Sequence, residues 1–333
     1  MTRSRALAVA RVLVAVAVVA ALVWGVARNW SEISHDLQRV SVGALLLSVL
    51  PAAVGTWLTM LGWRVLLADL GSSLHVAPAA GVWFVGQLGK YLPGSVWTVL
   101  VQADMASHLH VPRRRTGVAG LVTIGLSVLT GVLVGVPAVP LLLQRPAGGS
   151  AVWLLLALPV LAVLFSPALL NRLIALGLRV LRQPPLETPL SGRAVVTAVV
   201  LYVVAWLSFG VHILVLAWAV GEGTGGGTLV LASLTGFGLS GALSMLTVIL
   251  PAGLGAREGL LTLVLAAALP VSGSTAVAIV SRFVVTLVDV AAAAGGWAYA
   301  RRHHLLASRA GLAAEATAGH QGPAVVPLPD DDR

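Results

Sequence analysis

Eight runs of apolar residues follow one another along the chain and constrain its fold more than any other feature. A helix needs about 20 apolar residues to cross the hydrocarbon core of a bilayer. Seven of the eight runs reach that length. The remaining run, the seventh in chain order, has only 15 residues. The runs are residues 6–27, 42–63, 117–141, 151–170, 194–220, 228–250, 256–270 and 275–299. They predict an all-α, polytopic integral membrane protein with about eight transmembrane helices.

The composition supports lipid as the solvent of these runs. Apolar residues make up 58% of the chain and charged residues only 10%, whereas a soluble domain carries about 25% charged residues. The first run, 6–27, follows Arg3 and Arg5 and therefore resembles a signal peptide. It is longer than the roughly 7–15 apolar residues of a signal sequence, so we predict an uncleaved first helix.

Several function classes are disfavoured by charge and by missing residue types. The net charge of +9 is not arranged for nucleic acid, because the arginines lie in short loops and form no stripe with aromatic residues. The chain has no cysteine, which excludes disulfides and cysteine-bound zinc. No nucleophile elbow, acid–base pair or nucleotide-binding loop occurs. We expect no catalytic residues, no metal site, no cofactor and no nucleic-acid partner.

One apolar stretch, 79–101, has breaking and polar residues in its middle: Gly86, Gln87, Gly89, Lys90, Pro93 and Gly94. Basic residues prefer cytoplasmic loops, and the arginines test how this stretch crosses. If it returns to the side it came from and the N-terminus is inside, the inside segments hold Arg3, Arg5, Arg113, Arg114, Arg115, Arg172, Arg179, Arg182, Arg193, Arg301, Arg302 and Arg309, and the outside loops hold Arg28, Arg39 and Arg145. A full crossing removes this bias. We therefore predict a re-entrant hairpin near 79–101 that lines a cavity, with both termini cytoplasmic.

A second interrupted helix is predicted near 250–270, in the other half of the chain. The proline-containing loop 179–193 separates the two halves, and paired interruptions of this kind are typical of transport sites. We predict that residues 1–303 form the transmembrane domain. Residues 304–333, rich in Ala, Gly and Pro, are predicted to form a disordered cytoplasmic tail.

Two readings of Lys90 follow from its setting in the segment 86–97, GQLGKYLPGSVW. A lysine at membrane depth is costly and needs a partner or water. Lys90 and free N–H groups at a broken helix end could hold a lipid phosphate. Alternatively, the lysine extends to the headgroups from a surface loop. The spacing excludes a Walker A loop.

The segment 251–259, PAGLGAREG, has a similar break followed by two charges. Glu258 is favoured by the dipole at the first turn of the following helix. Arg257 beside broken backbone suits a phosphate clamp, because a guanidinium binds phosphate bidentately. The alternative is an ordinary positive-inside arginine.

The last apolar run contains Arg282 and, seven residues later, Asp289. Seven residues are about two turns, so both lie on one helix face and should face the bundle interior. They pair within the protein, or Arg282 belongs to a ligand site. His212 is predicted to be a packed histidine with one hydrogen bond.

Three motifs together resemble the membrane region of the lysylphosphatidylglycerol synthase family. They are GKYLPGSVW at 89–97, PAGLGAREG at 251–259 and SRF at 281–283. In bifunctional members this region is a phospholipid flippase followed by a soluble aminoacyl transferase domain. No such domain is expected here, so the resemblance implies a stand-alone flippase-like protein. Asp289 is outside the family pattern, and its role stays open.

The motifs and the resemblance lead to one set of predicted site residues. For binding a lipid headgroup they are Lys90, Tyr91, Gly94, Arg257, Glu258 and Arg282. For shaping the site by breaking the backbone they are Gly89, Pro93, Pro251, Gly253 and Gly255.

The preferred function is translocation or binding of a phospholipid or polyprenyl-phosphate lipid through a groove between the interrupted helices. The expected partner is thus a membrane lipid with an anionic headgroup. The alternative is a non-transporting membrane partner of a separate glycosyltransferase in cell-envelope lipid or glycan assembly. A separate lipid-modifying enzyme is a further candidate partner. A membrane-embedded lipid enzyme is disfavoured because a catalytic constellation is missing. The Arg, Ala and Gly bias suggests a bacterial inner membrane as the location.

Overall fold

The computed structural model describes residues 30–91, 97–142, 160–161, 163–221, 226–245 and 255–302. These residues form helices joined by short loops, and the described ranges contain no β-strand. The predicted first helix, 6–27, and the predicted tail, 304–333, lie outside the described residues.

Five of the described α-helices have 20 or more residues, and five have 14 or fewer. In chain order they are α1 (Trp30–Arg39), α2 (Val42–Asp69), α3 (Val76–Gln87), a 3₁₀ turn (Leu88–Tyr91), α4 (Trp97–Ser107), α5 (Arg113–Gly135, continued by the turns Val136–Ala138 and Val139–Leu142), α6 (Pro167–Val180), α7 (Gly192–Val220), α8 (Gly226–Met245), α9 (Ala256–Leu265) and α10 (Val271–Arg302).

Within the described ranges, five segments are long and apolar enough to cross a membrane. They are Val42–Asp69, Arg113–Leu142, Gly192–Val220, Gly226–Met245 and Val271–Tyr299, with mean hydropathy between 1.5 and 2.4. Each coincides with one of the predicted spans. The prediction of an all-α, polytopic membrane protein is therefore confirmed.

Two predicted spans have different boundaries in the structure. In the described part of 151–170, the chain turns at Ser166, and α6 runs from Pro167 on to Val180. The cause is local: the Ser166 hydroxyl accepts a hydrogen bond from the Leu169 N–H at 3.2 Å, and proline favours the first helical position. In the predicted segment 256–270, the helix ends at Leu265. This helix, α9, is about 15 Å long and therefore too short to cross a bilayer.

The stretch 79–101 forms two half-length helices that pack against each other. Helices α3 and α4 contain 12 and 11 residues, or about 18 and 16 Å, and each is too short to cross a bilayer alone. A Cβ atom on Gly89 would lie 2.6 Å from the Thr98 backbone nitrogen, so only glycine allows this approach. The form is that of a hairpin, and the membrane side of its ends stays a prediction.

Helices α2 and α7 form the central pair of the bundle, and two apolar clusters lie along them. One cluster is built around Trp63 and Tyr202, and the other around Trp206 and Phe237. Helix α10 packs against α1, α2, α3, α7 and α9. It therefore contacts both the hairpin of the first half and the short helix of the second half.

Candidate functional site

The 3₁₀ turn of the hairpin is joined to α10 through Asp289. The Lys90 Nζ atom lies 2.6 Å from Asp289 Oδ2, and the Tyr91 hydroxyl donates to the same oxygen at 2.8 Å. The Asp289 side chain is only 5% exposed, whereas that of Lys90 is 33% exposed. The Asp289 carboxylate is therefore enclosed by the protein, whereas the Lys90 side chain stays partly exposed.

The second interruption ends at Gly255, where α9 begins. Gly255 has φ of 88°, which a residue with a side chain rarely adopts. Its N–H donates to Glu258 Oε2 at 2.7 Å, so Glu258 caps the helix from its first turn. The other oxygen, Oε1, accepts a hydrogen bond from Arg282 at 3.1 Å. Glu258 therefore serves both the helix start and an ion pair with α10.

Arg257 is the basic residue of this region that has no described carboxylate in contact with its side chain. Its guanidinium carbon lies 4.3 Å from the centre of the Phe237 ring, a cation–π contact. Among the described residues it forms no hydrogen bond and no ion pair, although its side chain is only partly exposed. Glu258, Arg282, Asp289 and Tyr91 are all close enough to interact with it electrostatically.

Helix α10 brings the two halves together. Arg282 and Asp289 are seven residues apart, about 10.5 Å along one face of the helix. Arg282 binds Glu258 from the second half, and Asp289 binds Lys90 from the first. The sequence left the role of Asp289 open, and the structure shows it as the partner of the hairpin. We call Lys90, Arg257, Arg282, Glu258 and Asp289 the cation cluster.

The cation cluster carries one unbalanced positive charge. It contains three basic side chains and two carboxylates, and each carboxylate is bonded to a basic residue other than Arg257. An unpaired charge among apolar helices is costly. One bound anion would remove the imbalance.

The remaining predicted residues are placed unevenly. Gly89 lies in the 3₁₀ turn of the hairpin, and Gly255 directly precedes α9. Gly94, Pro93, Pro251 and Gly253 lie outside the described residues.

His212 is buried and not part of the cation cluster. Its Nδ1 lies 2.9 Å from the Ser48 carbonyl oxygen and its Nε2 lies 3.0 Å from Ser281 Oγ, so it has two polar contacts where one was predicted. The described residues contain no group of His, Asp and Glu side chains suited to a metal ion.

Comparison with known proteins agrees with the motifs. No curated protein is similar enough to match the chain. The sequence profile of the lysylphosphatidylglycerol synthase TM region, in contrast, matches residues 11–293. That range contains every residue of the cation cluster and all the described helices except the end of α10. With most of its length inside this match, the chain belongs to the family of the lysylphosphatidylglycerol synthase TM region.

Proposed function

We propose that this protein binds a lipid through its phosphate headgroup at the cation cluster and moves that headgroup across the membrane. Membership of a family of membrane regions supports a lipid-related role. The fold supports it as well, because two interrupted segments from different halves adjoin α10 at Asp289 and Arg282. Such breaks are typical of transport sites near the bilayer midplane.

The observation that carries the proposal is the state of Arg257. Its guanidinium lies over Phe237 and has no carboxylate partner in the part of the chain that the structure describes, while Lys90 and Arg282 have carboxylates. Arginine presents a planar fork of donors that matches the oxygens of a phosphate group. A phosphate on Arg257 would satisfy those donors and neutralise the cluster.

Helix α10 also carries exposed apolar side chains, on a different face from Arg282 and Asp289. Phe283 and Leu287, on the helix that carries Arg282 and Asp289, are 67% and 65% exposed. Exposed apolar side chains on a membrane helix face the hydrocarbon. In the proposed mode of binding, the headgroup enters the cluster while the acyl or prenyl chains remain in this hydrocarbon.

Reconstitution into vesicles tests the proposal. Vesicles carrying a fluorescent phospholipid are treated with a quencher that reaches only the outer leaflet. We expect wild-type protein to expose nearly all of the fluorophore over time, and Arg257→Ala to leave the inner-leaflet half protected. Arg179→Ala, which removes an exposed arginine of α6, is the matched control and should behave as wild type.

Two results would change the proposal. If wild-type protein binds the lipid but leaves the inner leaflet protected, the protein is a non-transporting lipid-binding partner, as expected for an accessory of a separate glycosyltransferase. Equal transport by wild type and Arg257→Ala would exclude the cation cluster as the site.

We also propose a bacterial inner membrane with both termini cytoplasmic, and a single cysteine at Ser107 tests this topology. Labelling of that cysteine by an impermeant maleimide from outside would refute the proposed side of the hairpin.

A further inference from the structure

The charge balance of the cation cluster distinguishes two kinds of phosphate. With both carboxylates ionised, the cluster has one positive charge left for a ligand. A phosphodiester headgroup carries one negative charge and matches it. A phosphomonoester carries about 1.5–2 negative charges at neutral pH, so its second charge needs another cation.

Lys90 is the cation that such a ligand can reach most easily. Its side chain is 33% exposed, whereas that of Arg282 is 20% exposed and bonded to Glu258. An ammonium group has three N–H donors, and one of them is directed at Asp289. A second phosphate charge at Lys90 would therefore lie close to the Asp289 carboxylate. Two like charges this close favour the neutral form of the group that is buried.

We propose that Asp289 takes up one proton when a doubly charged phosphate group binds the cation cluster. The inference rests on the proposed function, since it concerns the same headgroup site. The proton comes from water and binds the carboxylate, and no other bond changes. Lys90 is then fully available to the phosphate. The positive charge of the cluster rises from one to two and matches the ligand.

The neutral carboxyl group would remain satisfied at its buried position. Tyr91 donates to Asp289 Oδ2, and a phenolic hydroxyl can also accept a hydrogen bond. The pair therefore stays bonded whether Asp289 is ionised or protonated. An ionised Asp289 deprived of Lys90 would instead be an uncompensated buried charge, which costs several kcal/mol.

The charged and titratable groups around Asp289 come from four described elements. They are Lys90 and Tyr91 of the turn, Arg257 and Glu258 of α9, Arg282 of α10 itself, and His212 of α7, which interacts electrostatically with Arg257. Glu258 stays occupied by the Gly255 N–H and by Arg282. Asp289 is therefore the carboxylate that would lose its cation if the phosphate drew Lys90 away.

On the other elements packed on α10, the charged side chains nearest in the chain to this region have partners elsewhere or lie far from Asp289. Helix α3 has no ionisable side chain. On α2, Arg64 donates to the Leu74 carbonyl oxygen and Asp69 accepts from Ser191. Asp36 of α1 lies beside Gly273, about 24 Å along α10 from Asp289.

Calorimetry with two lipids tests the inference. Wild-type protein in detergent is titrated with short-chain phosphatidic acid, a phosphomonoester, and with phosphatidylglycerol, a phosphodiester. The titrations are done at about pH 8.5, well above the second ionisation of a phosphomonoester near 6. Each is repeated in two buffers of different ionisation enthalpy, so that protons taken up on binding are counted directly.

We expect about one proton taken up per phosphatidic acid bound and none per phosphatidylglycerol. The affinity for phosphatidic acid should fall about tenfold per unit rise in pH, as one linked proton requires. Asp289→Asn should abolish both the uptake and the pH dependence. Asp104→Asn, which removes an exposed carboxylate paired with Arg113, should match wild type.

The outcomes separate the inference from the proposed function. Binding of phosphatidic acid without proton uptake, or equal uptake with both lipids, overturns the role of Asp289 and leaves the headgroup site intact. If neither lipid binds, the headgroup site itself is wrong. The ³¹P chemical shift of phosphatidic acid bound to wild-type protein shows whether the phosphate stays doubly charged, as a proton on Asp289 requires, and it decides the question even if Asp289→Asn does not fold.

Discussion

The two interrupted segments differ in how their charges are neutralised. At the first, Lys90 is paired with Asp289, a residue of another helix. At the second, the carboxylate of Glu258 lies next to Arg257 in sequence but is bonded to the Gly255 N–H and to Arg282. The first break is therefore locally neutral, and the second retains a positive charge on Arg257.

This difference separates anchoring from ligand binding. The contacts of Lys90 and Tyr91 with Asp289 attach the hairpin to α10. Arg257, in contrast, makes a cation–π contact but no ion pair with any described residue. We therefore expect changes at the first break to affect stability most, and changes at Arg257 to affect lipid affinity most.

The largest expected effect is on lipid affinity at the second break. Arg257→Ala removes a charged donor to phosphate, worth about 1.5–3 kcal/mol, so affinity for phosphatidylglycerol should fall roughly 10- to 150-fold. Arg257→Lys should recover only part, because an ammonium lacks the planar fork. Titration calorimetry in detergent measures this, with Arg179→Ala as the control. An unchanged affinity in Arg257→Ala would remove the distinction between the two breaks.

The next effect is on the stability of the lipid-free protein at the first break. Lys90→Ala leaves the buried Asp289 carboxylate without its cation, which should cost roughly 2 kcal/mol. The figure is below that of a fully buried pair because Lys90 is a third exposed and solvent screens it. Adding Asp289→Asn should restore at least half of the loss in denaturation experiments. Arg257→Ala should cost less than Lys90→Ala, and the reverse order would contradict the comparison.

Substitutions of Gly89 and Gly255 test the backbone geometry of the two breaks. Gly89→Ala places a methyl group against the Thr98 backbone, and overpacking of this kind costs about 1–3 kcal/mol. Gly255→Ala forces a side chain into positive φ, which costs about 1–2 kcal/mol. Gly177→Ala on α6 meets open space and should be neutral or stabilising. Thermal midpoints of the three variants give the order, and an equal effect of all three would argue against both breaks as described.

The smallest effect concerns an exposed contact far from the cluster. Glu187 accepts hydrogen bonds from Arg114 and Arg115 at 2.6 and 3.0 Å. A backbone N–H and the Arg115 guanidinium hold the pKa of Glu187 below its usual value. A lowered pKa in the folded state means that this stabilisation is present at neutral pH and is lost as the pH falls below the usual pKa, about 4.3. Glu187→Gln should reduce the loss of stability on acidification. Identical acid profiles for variant and wild type would show that the contact adds nothing.

The sequence predicted the positions of the breaks and the identity of the cations. Glycine, proline and an isolated charge within an apolar run are local signals, and Lys90 and Arg257 both lie where those signals indicated. The partner of Lys90 could not be predicted in the same way. Tyr91 and Asp289 are 198 residues apart and meet only because the hairpin packs on α10.

Two other features show what limited the sequence analysis. Asp289 had a usable signal, the seven-residue spacing from Arg282, but spacing places two residues on one face and does not choose their partners. The start of α6 also had a signal, since Ser166 and Pro167 form a typical helix beginning. The sequence analysis missed this helix start because apolar residues lie on both sides of it, and a sum of hydropathy over a stretch does not detect a turn within that stretch.

The most direct test of a site shared by both halves is a double-mutant cycle on lipid-induced stabilisation. At a lipid concentration of about 100 times the dissociation constant, binding should stabilise wild-type protein by roughly 2.7 kcal/mol. Thermal midpoints are measured with and without phosphatidic acid, the phosphomonoester that should engage both cations, for wild type, Lys90→Ala, Arg257→Ala and the double variant. We expect each single variant to lose most of the stabilisation and the double variant to lose little more, because both residues act on one headgroup. Strictly additive losses would show that the two interrupted segments act at separate places and would contradict the shared site.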